Sequence, residues 1–102
     1  MFRKPPFADL VSTQLALLAQ DEAALLAEAR EAELAWQRAG RDVAEEAYGD
    51  WQLVADAIAD RLLDLRETYA ATLDEPTADS YRVAFARGAR KRFPRFAALV
   101  EE

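Results

Sequence analysis

Between Trp51 and Tyr69 the apolar residues Trp51, Val54, Ile58, Leu62, Leu65 and Tyr69 recur three or four positions apart, a spacing that predicts an amphipathic helix. At 3.6 residues per turn these side chains form one stripe, which must be buried against other helices. Asp56, Asp60, Asp64 and Glu67 run along the opposite side, so the same helix also presents an acidic face. The alternation that marks a half-buried strand occurs nowhere in the chain. The expected fold class is all-α.

The same rule places the other elements. Phe7, Leu10, Val11, Gln14, Leu15 and Leu18 form a stripe that Ala24, Leu25, Ala29, Ala32 and Trp36 continue in phase, with only Glu22 interrupting it. This predicts one long helix over about 7–38, with any bend near Gln20 and Asp21. Gly40 supplies its stop, and Asp42 to Glu45 reads as an Asp-x-x-Glu variant of the capping box that opens a second helix over about 43–73. Gly49 inside it costs about 1 kcal/mol relative to Ala. It therefore marks a kink, a frayed start ahead of Asp50, or close contact with another backbone.

Asp74-Glu75-Pro76 combines capping acids with a proline suited to a first helical turn, and opens a third helix over about 76–92. Tyr81, Ala84, Phe85, Gly88 and Ala89 form its apolar side. Phe93-Pro94 closes it, and a last short helix over 94–100 would pack Phe96, Leu99 and Val100. Residues 1–6 read as an extended basic arm ended by Pro5 and Pro6.

Two long helices of about 45 Å each, at 1.5 Å per residue, joined by a short turn make a long antiparallel hairpin. The shorter third helix and the short C-terminal helix cover only part of it. The expected architecture is a three- to four-helix bundle, completed by dimerisation. Trp36 should meet Tyr48 or Trp51 across the Gly40 turn, as packing at the hairpin tip.

Composition narrows the chemistry. With 102 residues, 52% of them hydrophobic and 31% charged, the chain is expected to be a single folded domain over 1–102. It has no Cys and no His, which removes Ser-His-Asp and Cys-His catalysis, zinc sites with nitrogen or sulfur ligands, and haem ligation by His. No Ser or Thr has a local Lys or His to activate it, so no catalytic residue is assigned. Charges interrupt every apolar run short of membrane-spanning length, and Met1 to Phe7 lacks the form of a signal peptide, so a cytoplasmic location is expected.

Charge is distributed unevenly. The net charge is −6, yet Arg82 to Arg95 holds six basic residues (Arg82, Arg87, Arg90, Lys91, Arg92, Arg95) and no acid, while residues 1–81 carry 17 acids against 7 bases. Asp56, Asp60 and Asp64 are like-charge neighbours along a helix. They read as a solvated face first, as a dock for the basic segment second, and as a divalent-cation site third.

A second group of acids, Glu28 and Glu31 on the first helix with Glu46 and Asp50 on the second, would hold Mg²⁺ if the hairpin brought them together. This arrangement loosely resembles the all-α nucleoside triphosphate pyrophosphohydrolases of the MazG and dimeric dUTPase type, whose signature is Glu-x-x-Glu followed by Glu-x-x-Asp. Glu28 and Glu31 match the first half. Glu46 and Asp50 depart from the second by one residue. The resemblance implies Mg²⁺-dependent nucleotide pyrophosphohydrolysis as an alternative reading, and the basic segment 82–95 suggests nucleic-acid binding as another.

The leading expectation is a helical protein–protein interaction or oligomerisation module without cofactor. Its partner is a second copy of the chain, in a homodimer that builds a four-helix core from two hairpins.

Overall fold

The computed structural model describes residues 5–100, which form α1 (Ala8–Asp21), α2 (Ala23–Arg38), α3 (Ala44–Ala70), α4 (Glu75–Arg92) and α5 (Pro94–Val100). There is no strand among the described residues. Most of the expected arm lies outside them, and Pro5 and Pro6 are exposed.

The single helix expected over 7–38 is divided at Glu22, whose φ of −107° and ψ of 27° leave helical geometry. Neither side frays there. The Glu22 amide donates to the Leu18 carbonyl at 2.8 Å and the Leu26 amide to the Glu22 carbonyl at 2.9 Å. The division has a packing cause: α1 packs chiefly on α4, whereas α2 packs on α3. A straight rod spanning both would be about 46 Å long and could not follow two different neighbours. Arg61 of α3 fixes the corner by pairing with Glu22 at 3.3 Å.

The expected hairpin is therefore formed by α2 and the first half of α3 alone. Its tip is closed as the sequence suggested, with Trp36 lying 4.8 Å from Tyr48 and 5.5 Å from Trp51 between ring centroids. The second half of α3 meets α4 where Tyr69 lies against Tyr81, and α5 packs along α3 as well. The resulting shape is elongated, 52 × 29 × 22 Å, with a radius of gyration of 15.8 Å, against about 13 Å for a compact chain of this length. The two-helix arm accounts for the difference.

Helix ends differ from expectation for local reasons. Val43 is the N-cap of α3 and no side chain caps it, so the capping box at Asp42 and Glu45 does not form. Helix α3 stops at Ala70 and not at Leu73, because the Thr72 and Leu73 amides tighten onto the Tyr69 and Ala70 carbonyls at 2.9 and 3.0 Å. The Thr72 hydroxyl also donates to the Tyr69 carbonyl, at 2.7 Å. Gly49 lies within an unbroken α3, with nothing within 4 Å of where a Cβ would stand. It is neither a frayed start nor a close backbone contact within this chain.

Val11, Leu15, Ile58, Leu62, Tyr81 and Phe85 are the large side chains at the centre of the core. Around them Ala29, Ala70, Ala78, Ala89 and Ala97 are buried, and their small size lets the helix axes approach. Tyr81 is 0% exposed, with Phe7, Tyr69 and Phe85 at ring-centroid distances of 5.6, 4.7 and 6.0 Å. Its hydroxyl donates to Gln14 Oε1 at 2.8 Å, which satisfies the one polar atom it carries inside. Burial pushes that phenol above its ordinary pKa.

Phe7, expected as the first helical residue, instead precedes α1 in the left-handed region at φ 68°. That conformation costs about 1–2 kcal/mol for a non-glycine residue, offset by the edge-on contact its ring makes with Tyr81. On α5 Ala97 is buried, as is Phe93 just before it, while Phe96, Leu99 and Val100 are half-buried.

Candidate interaction surface

The arm is covered unevenly. Seams between two helices bury one stripe of each, and a third layer is needed to bury more. On one side of the arm α5 supplies that layer: Arg95 reaches Glu33 of α2 at 2.9 Å, with the Glu33 Oε1 atom buried and the pair too poorly aligned for a hydrogen bond. On another side the arm is open, and α2 and α3 form a shallow groove lined by Glu28, Glu31, Ala35, Asp50, Leu53 and Val54, among others.

Three of the four acids considered for Mg²⁺ thus share one groove. Glu46 does not line it. Among the described residues no group of three or more carboxylates comes together closely enough to hold a metal ion. The arrangement lacks the convergence that metal-assisted phosphate chemistry uses.

Asp56, Asp60 and Asp64 continue from Leu53 along α3 in steps of three and four residues, and all three are exposed. None of them forms an ion pair among the described residues, so the basic segment does not dock on them within the chain. Some of that segment is engaged elsewhere. Arg82 grips Glu67 with two hydrogen bonds, Nε to Oε2 at 3.0 Å and Nη2 to Oε1 at 3.1 Å, and reaches Asp79 at 3.3 Å. Arg66 adds a second guanidinium to the same Glu67 oxygen at 2.9 Å.

The Arg82 hydrogen bonds, followed by those of Arg66, hold the Glu67 carboxyl below its ordinary value of 4.5. A carboxylate with a lowered folded-state pKa contributes stability above its unfolded pKa, and that contribution is lost as pH falls through the folded value. Glu67→Gln should therefore lower the urea midpoint slightly near neutral pH, with the difference from the native chain shrinking as pH falls through the lowered folded-state value of the carboxyl. The effect will be small, because the pair is solvent-accessible. A gap that persists undiminished in acid would show that the carboxylate's charge is not what matters.

Three further cations of the segment, Arg87, Lys91 and Arg92, border a second groove, of about 520 Å³, between α1 and α4. Val11, Leu15, Ala8, Ala84 and Gly88 make its apolar walls, and Arg87, Lys91 and Arg92 stand along the α4 rim. Arg92 lies with its guanidinium carbon 5.9 Å from the Phe93 ring centroid. Arg87 and Lys91 are exposed, with no ion pair among the described residues.

Gly88 permits the close approach of α1 to α4. A Cβ there would stand 2.6 Å from Val11 Cγ1 and 3.2 Å from Leu15 Cδ1, so the α1 side chains pass directly over the α4 backbone. The sequence groups Arg82, Arg87, Arg90, Lys91, Arg92 and Arg95 as one basic segment but does not reveal the groove. The legible signal was Gly88 itself, a glycine in mid-helix among apolar neighbours, which marks close approach of another element.

Large apolar side chains left exposed are Leu17, Leu34, Val43, Tyr48, Leu53, Leu63 and Val83. Leu34, Val43, Tyr48 and Leu53 belong to the arm or its tip, and Leu53 is 72% exposed. No helix is long and apolar enough to cross a membrane among the described residues. Comparisons with protein-family models, with curated proteins and with solved structures yield no match.

Proposed function

We propose that this protein is a helical interaction module whose partner is a second copy of itself. The observation that carries the reading is the two-helix arm, closed by α5 on one side and open on another, with Leu34, Val43, Tyr48 and Leu53 exposed along it. Exposed leucines are ordinary singly, but four large apolar side chains left exposed on one two-helix arm and its tip give it apolar surface that a second chain can bury. Alanine-rich helices reinforce the point, since a thin core gains apolar area from a partner that it cannot supply itself.

Sedimentation equilibrium tests the proposal. A dimer is expected at about 100 µM protein, and Leu53→Glu should weaken it while leaving the helical far-ultraviolet spectrum intact. A native chain that stays monomeric at that concentration would overturn it.

A further inference from the structure

We infer that the open, acidic face of α3 in one protomer docks in the basic α1–α4 groove of its partner, an inference that rests on the self-association just proposed. The first argument is exclusion. Two arms laid groove to groove would bring Glu28, Glu31 and Asp50 of one copy against the same residues of the other. Like charges brought together at an interface core cost several kcal/mol, so the arm is a poor partner for itself despite its exposed leucines.

The second argument is complementarity within the same chain. The α1–α4 groove offers what the acidic face lacks, a cationic rim at Arg87, Lys91 and Arg92 beside a lining that includes the half-buried Ala8 and Ala84. The acidic face of α3 offers the converse: Leu53 and Leu63 are exposed, and Asp56, Asp60 and Asp64 recur along it in steps of four. Arg87 and Lys91 are four residues apart on α4, as Asp56 and Asp60, and Asp60 and Asp64, are on α3. Four residues of helix rise about 6 Å, so two helices side by side carry their opposite charges at one common pitch.

Both sets of charges are otherwise without an ion pair among the described residues, so docking breaks no intramolecular pair to make an intermolecular one. When each protomer donates its α3 face and receives its partner's, the two contacts are related by a two-fold axis and the assembly closes as a dimer.

Charge reversal in the full-length chain tests the docking mode. Arg87→Glu with Lys91→Glu reverses the groove, Asp56→Lys with Asp60→Lys reverses the face, and all four positions are exposed, so the core is untouched. Each double variant alone should dissociate at least about tenfold more readily than the native dimer. An equimolar mixture of the two variants should recover association, because the reversed groove then meets the reversed face while the native groove meets the native face. Raising salt from about 50 mM to about 500 mM should weaken the native dimer.

Circular dichroism identifies any variant that has lost its fold, and a single reversal at each position, Lys91→Glu against Asp60→Lys, then repeats the mixing. A native dimer indifferent to the groove reversal, or variants that dissociate without recovering on mixing, would overturn this docking mode while leaving self-association standing. A monomeric native chain would remove both.

Discussion

Tyr81→Ala is expected to destabilise the protein by about 3–5 kcal/mol, the range for truncating a fully buried aromatic ring. Tyr81 touches Phe7 ahead of α1, Tyr69 of α3 and Phe85 of α4, so one truncation removes packing from three directions at once. At roughly 4–8 °C per kcal/mol for a domain near 100 residues, the melting temperature should fall by about 12–40 °C. Tyr81→Phe keeps the ring and removes only the hydroxyl that donates to Gln14. Because Gln14 is half-buried and can turn to water, that change should cost about 1 kcal/mol. Equal losses for the two variants, measured by thermal and urea denaturation, would show that the hydrogen bond and not the packing dominates.

Substitution at Gly88 should produce the second large effect, by overfilling and not by emptying. The added methyl of Gly88→Ala gains about 1 kcal/mol of helix propensity but lands 2.6 Å from Val11 Cγ1. Val11 is buried and β-branched, so its χ1 has little room to change. Overpacking of this kind costs typically about 1–3 kcal/mol, which makes Gly88→Ala mildly destabilising and Gly88→Val, with two further methyl groups, clearly so.

Val11→Ala removes the atom in the way. Combined with Gly88→Ala it should destabilise less than the two single changes added together, the non-additivity expected of residues in contact. Strict additivity in urea denaturation would mean that α1 does not pass over the α4 backbone at this point. Gly88→Val should also expose the Glu22 corner to protease, since α1 is tied to the body mainly through α4.

The fold was largely legible because helical periodicity is local information. Ile58, Leu62, Tyr81 and Phe85 were placed on buried stripes by spacing alone, and all four are in the core. The end of one helix just before Gly40, the short last helix after Phe93-Pro94 and the meeting of Trp36 with Tyr48 and Trp51 were likewise readable, since each depends on neighbours in sequence or across one short turn, although it is the extended Ala39 and not a left-handed Gly40 that ends the helix.

What could not be read is where an in-phase stripe changes partner. The apolar pattern runs past Glu22 with one interruption, and nothing in it says that α1 belongs to α4 and α2 to α3. The acids show the same limit. Glu28, Glu31 and Asp50 meet in one groove because α2 and α3 are antiparallel neighbours, but whether carboxylates converge is decided by side-chain direction around each axis. Glu46 lies only four residues from Asp50 and still falls outside that groove.

The sequence by itself determined that this chain is helical, where most of its helices begin and end, and which side chains each must hide, because those follow from spacing within a few turns. Tertiary structure alone decided that the chain bends at Glu22, that Gly88 receives Val11 and Leu15, and that an open acidic arm and a cation-rimmed groove occur on one molecule. Those features depend on contacts between residues far apart in the chain, and the fit of one helix surface to another is not encoded in the period of either.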